Sequence, residues 1–195
     1  MPKKGIEDAI DALALIKEHK FDVSLNVVGT CAADYKNKLK VKIESLGLSE
    51  NVSFNGYFPL HSDMHQHIKK SGAAVLPVKL DAIPSTVIEA MLLEIPVISY
   101  KTTGTPYLNK DGVTVLLADI GDIKKLSEHM ITLFKTPELA DKLRKEAKAF
   151  VEREFDNTAS ARRLVENYRA MIGHYRSNKP IPKKLLFDLN EFPIY

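Results

Sequence analysis

The strongest constraint on the fold is the alternation of short apolar segments with longer amphipathic ones. Residues 6–19 carry apolar side chains at helical spacing, and residues 21–28 are β-branched and apolar and end at Gly29. The same pattern predicts further strands at 51–55, 73–78, 96–100 and 113–118, and further helices at 33–46, 61–70, 86–93, 122–134, 137–154 and 158–175. Short strands that lack polar alternation and are separated by helices form a parallel sheet covered on both faces. The sequence therefore predicts an α/β, Rossmann-like, doubly wound parallel sheet.

The domain organisation follows from length and from the character of the C-terminus. A chain of 195 residues has room for one domain and an appendage. We predict a single Rossmann-like domain over residues 1–176, with C-terminal helices, and a tail over residues 177–195 that contains three prolines and three lysines. The first predicted element is a helix, whereas a βα unit begins with its strand. The first strand is therefore predicted to be missing.

Charge and cysteine usage exclude several classes of protein. A net charge of +3 is too small to indicate nucleic-acid binding, and the single cysteine, Cys31, cannot form an internal disulfide. No apolar run approaches the roughly 20 residues that span a bilayer, and the N-terminus lacks the apolar core of a signal peptide. We expect a cytoplasmic protein that handles small molecules.

The most informative segment runs from Asp81 to Glu89, where a predicted strand is followed by a predicted helix. Pro84 and Ser85 are typical helix-start residues, and Ser85 could cap the first free amides. Free amides and the helix dipole favour an anion such as a diphosphate. Glu89 lies one turn further on the same side, where its carboxylate could accept hydrogen bonds from two vicinal hydroxyls. The alternative is a simple Ser85 cap and a solvated Glu89.

A set of motifs in a fixed order resembles a known family. They are Lys4-Gly5, Leu25 to Gly29 (LNVVG), Leu46 to Gly56 (LGL…V-x-F-x-G), Asp81 to Met91 (an acidic-x7-Glu segment) and Thr103 to Gly112 (TGTP…DG). Together they resemble the nucleotide-sugar-binding, C-terminal half of GT-B glycosyltransferases, and above all the retaining enzymes of family 4. The resemblance runs from Lys4 to about residue 175.

The resemblance implies roles for particular residues. The donor-binding residues it implies are Lys4 for the phosphates, Gly56, Tyr57 and Phe58 for the base, the amides of Ser85 and Thr86 for the diphosphate, Glu89 for the ribose, and the turn Thr103, Gly104 and Thr105 beside the same cleft. Asp81 stands where the family contacts the donor sugar, and Asp81 and Glu89 are the implied catalytic residues. The implied donor is a UDP- or GDP-sugar, with no cofactor and no metal.

The family resemblance implies transfer of a hexose with retention to a glycan or lipid-linked acceptor. Catalysis would need an N-terminal domain that this chain does not contain. The tail could support self-association, and the enzyme could sit peripherally at the inner face of a membrane. Asp81, Ala82, Glu94 and Thr105 depart from the family pattern, the last three replacing glycines. The alternative is therefore a non-catalytic Rossmann-like interaction or regulatory module with a degenerate donor site.

Three histidines in the predicted helix 61–70 raise the question of a metal site. His61 and His65 are four residues apart and would share a helix face, whereas His67 would not join them. The sequence offers no third ligand of fixed position. We therefore predict a solvated helix without a metal.

Overall fold

A computed structural model describes residues 2–19, 21–178 and 180 of the chain. The chain divides into two compact units, residues 1–150 and residues 151–195. The predicted tail, 177–195, lies almost wholly outside the described residues. Among the helices described, none combines the length and the apolarity needed to cross a membrane.

All the predicted helices and strands form, the helices with small shifts at their ends, but the strands predicted at 21–28, 73–78 and 113–118 are only about half as long as predicted. The strands are β1 (Leu25–Val28), β2 (Val52–Gly56), β3 (Ala74–Leu76), β4 (Val97–Tyr100) and β5 (Leu116–Ala118). The α-helices are α1 (Ile6–Glu18), α2 (Ala33–Ser45), α3 (His61–Ile68), α4 (Ser85–Leu92), α5 (Ile123–Lys135), α6 (Pro137–Glu154) and α7 (Asn157–Arg176). Two 3-10 helices, Pro2–Lys4 and Thr105–Asn109, were not predicted.

The strands are all parallel, but they form two sheets where the sequence predicted one. β1 pairs with β2, and β4 lies between β3 and β5. In the doubly wound order 3-2-1-4-5-6 the first strand lies between the second and the fourth. If β1 to β5 are strands two to six of that order, the break between β1 and β3 falls at the position of the first strand. In that order the break lies where the predicted missing strand would lie.

Helix α1 holds the first unit together because it contributes to two apolar clusters. Ala12 and Ile16 pack in a cluster that also contains residues of β4, β5, α5 and α6. Ile10 and Leu13 pack in a second cluster with residues of α2 and with Leu48. An amphipathic helix with so wide an apolar face can cover both sheets.

In the described residues of the second unit, the main element is helix α7. The Asp156 carboxylate caps this helix by accepting hydrogen bonds from the amides of Thr158 and Ala159, at 2.8 and 3.3 Å. Several apolar side chains of α7 are about half exposed, namely Leu164, Val165, Tyr168 and Ile172.

Candidate functional site

The first unit contains a cavity of about 370 Å³ that is bordered by β1 and β3. Away from the carboxyl ends of the strands, the cavity is lined by apolar side chains and backbone of β1 and β3. At the carboxyl ends of the strands the cavity is lined by Lys4, Gly29, Thr30, Thr86 and Glu89. Parallel sheets bind ligands at this edge. Part of the cavity therefore lies at the break in the sheet. Its polar end lies at the edge where parallel sheets bind ligands.

Helix α4 begins at this polar end with free amides. Its first residue is Ser85, and the preceding Pro84 has extended backbone angles (φ −62°, ψ 129°) and makes no side-chain cap. The prediction that Ser85 caps the helix is wrong, because Ser85 lies inside the first turn. Within the described part of the chain, the amides of Ser85 and Thr86 have no hydrogen-bond acceptor. Both residues are exposed, so these amides can receive an anion.

Glu89 lies one turn along α4 and lines the same cavity. Its side chain is only 31% exposed, and its Oε1 atom accepts a hydrogen bond from His65 Nε2 at 2.7 Å. His61 Nδ1 lies 3.9 Å from the same oxygen. Glu89 is therefore a partly buried residue with a hydrogen-bond partner on α3. The contact with His65 was not predicted from the sequence, although the four-residue spacing of His61 and His65 indicated one shared helix face.

Lys4 and Asp81 are brought together by the close packing of the N-terminus on the segment after β3. Gly5 has φ +71°, and a Cβ atom there would lie 1.9 Å from the Pro77 carbonyl oxygen, so only glycine fits. The Lys79 amide donates a hydrogen bond to the Lys3 carbonyl at 2.9 Å. As a result Lys4 Nζ lies 3.6 Å from Asp81 Oδ2 in a half-exposed ion pair.

The turn after β4 is tied to the segment that contains Asp81. The Thr102 hydroxyl and the Gly104 amide both donate hydrogen bonds to the Ala82 carbonyl, at 2.8 and 3.2 Å. A Cβ atom at Gly104 would lie 2.8 Å from the Ile83 side chain, so glycine permits this approach. Thr103 is exposed beside it.

Thr105 has a structural role that the sequence analysis did not predict. Its side chain is fully buried, donates to the Tyr100 carbonyl at 2.9 Å and accepts from the Thr102 amide at 2.8 Å. Its hydroxyl is therefore engaged in hydrogen bonds within the turn. A contact between Thr105 and a donor stays a prediction, and the buried side chain leaves only the backbone of Thr105 to make it.

The three residues predicted to hold a base lie at the end of β2. Gly56 ends the strand with φ +70°, Tyr57 is 70% exposed, and the Phe58 ring contacts the His67 ring of α3 at 5.1 Å between centroids. Within the described part of the chain, none of the three lines the cavity. Their role in base binding stays a prediction.

The amino-acid sequence is similar to several curated glycosyltransferases. It is 26% identical over 170 residues to the amylovoran biosynthesis glycosyltransferase AmsK of Erwinia amylovora. This match covers 84% of the present chain and 41% of AmsK. It is 26% identical over 177 residues to the putative colanic acid biosynthesis glycosyltransferase WcaL of Escherichia coli K12, covering 87% of this chain and 43% of WcaL. The chain thus spans about two fifths of the length of these curated relatives.

The fold is similar to solved glycosyltransferase structures. HepE of Anabaena in complex with UDP superposes with a TM-score of 0.77 at 24% identity, covering 87% of this chain and 46% of HepE. The C-terminal domain of a group 1 family glycosyl transferase, LpcC of Francisella tularensis, superposes with a TM-score of 0.72 at 18% identity, covering 80% of this chain and 82% of that domain. The fold is that of a GT-B glycosyltransferase domain.

The match to a family model coincides with the first compact unit. The model described as "Glycosyl transferases group 1" matches residues 1–150. The cavity, the start of α4, Glu89 and Lys4 all lie inside this range. The chain belongs to the group 1 glycosyltransferases.

Proposed function

We propose that this chain binds a nucleotide-diphospho-sugar and acts as the donor-binding domain of a retaining hexosyltransferase. The observation that carries the proposal is that Lys4, the uncapped start of α4 and Glu89 border one cavity. A cation and free amides suit a diphosphate, and a carboxylate suits the vicinal hydroxyls of a ribose. Two solved structures of HepE, which contain UDP and UDP-glucose, support this assignment by analogy.

The proposed chemistry uses the polar end of the cavity to stabilise the leaving group. The bond between the anomeric carbon of the sugar and the diphosphate oxygen breaks, and the diphosphate departs with its electron pair. Lys4 and the amides of Ser85 and Thr86 stabilise the charge that develops there. Asp81, paired with Lys4, is proposed to contact the sugar. An acceptor hydroxyl then forms the new bond on the same face, with its proton lost to solvent.

The acceptor and the pathway are proposed from the relatives. AmsK and WcaL are named for amylovoran and colanic acid biosynthesis, so we propose a glycan or lipid-linked acceptor in polysaccharide biosynthesis. Since the chain spans about two fifths of these relatives, we propose that catalysis requires a further domain that binds the acceptor.

A second candidate is a non-catalytic module with a degenerate donor site. It is favoured by the fact that both implied catalytic carboxylates have partners within the chain, Asp81 with Lys4 and Glu89 with His65. A donor would have to displace or share these contacts.

Titration with UDP, GDP and UDP-glucose separates the two candidates. We expect a nucleotide to raise the Tm of the chain, measured in EDTA so that free metal ions do not contribute. Removing the charge with Glu89→Gln should weaken nucleotide binding by about ten- to a hundredfold, since a hydrogen bond to a charged group contributes about 1.5–3 kcal/mol. Glu50→Gln, an exposed glutamate outside the cavity, is the control. If no nucleotide shifts the Tm, the donor-binding proposal fails and the non-catalytic module is favoured.

A further inference from the structure

We propose that His61, His65 and Glu89 form a binding site for Zn²⁺ beside the polar end of the cavity, which Glu89 lines. One nitrogen of each imidazole and one carboxylate oxygen lie within 4.8 Å of one another. From the sequence alone, the two histidines have no third ligand of fixed position, and no metal was predicted. The fold supplies that ligand from α4, 24 residues after His65 in the sequence.

The helix geometry places both histidines on one face. His61 begins α3 and His65 lies one turn later, and their rings are 6.0 Å apart between centroids and nearly perpendicular. Two histidines four residues apart on a helix are a recurrent zinc-binding pair. Glu89 then approaches both from the neighbouring helix, with its Oε1 atom 2.7 Å from His65 Nε2 and 3.9 Å from His61 Nδ1.

The three ligand atoms need only small side-chain movements to surround a metal ion. In a tetrahedral zinc centre with metal–ligand distances of about 2.0–2.2 Å, neighbouring ligand atoms are about 3.4 Å apart. His65 Nε2 and Glu89 Oε1 must separate slightly, and His61 must move closer. The His61 side chain is 84% exposed, so its rotation is not restricted by packing. The other two ligands are about one third exposed and are already in contact.

The chemistry of the ligands selects the kind of metal. Two imidazoles and one carboxylate are a ligand set of catalytic zinc centres, which leave the fourth position open to water or another ligand. Imidazole favours Zn²⁺ and related transition metals, whereas Mg²⁺ prefers oxygen ligands in octahedral geometry. We therefore expect Zn²⁺ to bind and Mg²⁺ not to compete.

A consequence for donor binding rests on the function proposed above. Zn²⁺ bound to Glu89 occupies one carboxylate oxygen and draws electron density from the group, so Glu89 then accepts hydrogen bonds from a ribose less well. Zn²⁺ should therefore weaken UDP binding to the wild type, and it should do so less for His61→Gln, whose zinc site is impaired while the residues proposed to bind the donor are intact.

The test is a calorimetric titration of the chain with Zn²⁺ in the absence of nucleotide. We expect one strongly bound equivalent, and His61→Gln, His65→Gln and Glu89→Gln should each weaken binding by at least about tenfold. The matched control is His67→Gln, which changes a histidine of the same helix outside the cluster and should leave the affinity unchanged. Circular dichroism of each variant checks that it is folded, and the exposed His61 makes His61→Gln the variant least able to disturb the fold.

Any of three outcomes would overturn the zinc site. The wild type could bind no Zn²⁺ at micromolar concentration, or His67→Gln could weaken binding as much as the three ligand variants. The third outcome is that His61→Gln, shown to be folded by circular dichroism, binds Zn²⁺ like the wild type. If UDP binds neither the wild type nor His61→Gln, the donor function fails, while the zinc titration is decided independently by its own variants.

Discussion

Asp8 is a buried carboxylate that links helix α1 to the centre of the three-stranded sheet. It is 5% exposed and accepts hydrogen bonds from the Tyr100 hydroxyl and from Lys79 Nζ, both at 2.8 Å. Burial and the neighbouring Asp8 raise the pKa of the Tyr100 phenol, so this hydroxyl stays protonated and donates. A buried carboxylate with two such partners has its hydrogen bonds satisfied.

Removing the Tyr100 hydroxyl should therefore destabilise the fold. We expect Tyr100→Phe to lower the free energy of unfolding by about 1.5–3 kcal/mol, because it removes a hydrogen bond to a buried charge. Urea denaturation followed by circular dichroism measures this. Tyr175→Phe, at a tyrosine that is 88% exposed, is the control and should change the free energy of unfolding little. An equal effect of the two substitutions would contradict a structural role for the Asp8–Tyr100 bond.

Residues whose partners are distant in sequence could not be predicted individually. The sequence predicted α1, but not that Asp8 is buried in it, because Lys79 and Tyr100 are 71 and 92 residues away. Glu89 was predicted at the site from its spacing to Ser85, a local relation that the helix preserves. Its contact with His65 depends on how α3 packs beside α4, which periodicity does not determine.

At the level of elements, α4 ends in a conformation that suits glycine better than the residue present. Glu94 has φ +59° and follows the last residues of the helix. The Glu94 amide donates to the Met91 carbonyl and the Ile95 amide to the Ala90 carbonyl, at 3.1 and 3.0 Å, which is the Schellman pattern. The glycine that the family commonly has at this position is explained by this left-handed backbone. Glu94 also pairs with Lys148 of α6.

Comparing two variants at this position isolates the cost of the left-handed backbone. Glu94→Gly and Glu94→Gln both remove the ion pair with Lys148, but only glycine adopts φ +59° without strain. We expect Glu94→Gly to be more stable than Glu94→Gln by about 1 kcal/mol in urea denaturation. At Glu128, an exposed residue in the middle of α5 that pairs with Lys125, the order should reverse, since glycine weakens a helix interior by about 1 kcal/mol. The same order at both positions would argue against a left-handed Glu94.

The elements were more predictable than their ends and their pairing. Helix α6 forms over the predicted residues 137–154, because its amphipathic pattern continues from Pro137 to Glu154. The strand predicted over 21–28 is limited to Leu25–Val28, because it pairs only where β2 runs beside it. Apolar character identifies a strand, whereas its length depends on a neighbour that the local sequence does not specify.

At the level of the whole first unit, the break between the two sheets leaves strand edges unpaired. β1 pairs with β2 and β3 pairs with β4, and in the described part of the chain neither has a second neighbouring strand. Both strands border the same cavity. An unpaired strand edge exposes amides and carbonyls that the sheet interior would bond. The stability of the unit should therefore be lowest along this break and highest at β4, which is paired on both sides.

Hydrogen exchange measured by NMR tests this distribution of stability. The Leu25 amide donates to the Asn51 carbonyl and the Ala74 amide to the Pro96 carbonyl, so both point away from the break. Successive amides of a strand point to opposite edges, so the amides of Asn26 and Val75 face the break. They should exchange much faster than the amides of Leu25 and Ala74. The amides of β4 should be the slowest, because they open only when the sheet does. If Asn26 and Val75 are as protected as Leu25 and Ala74, the two sheets are joined in solution and the cavity between them is filled.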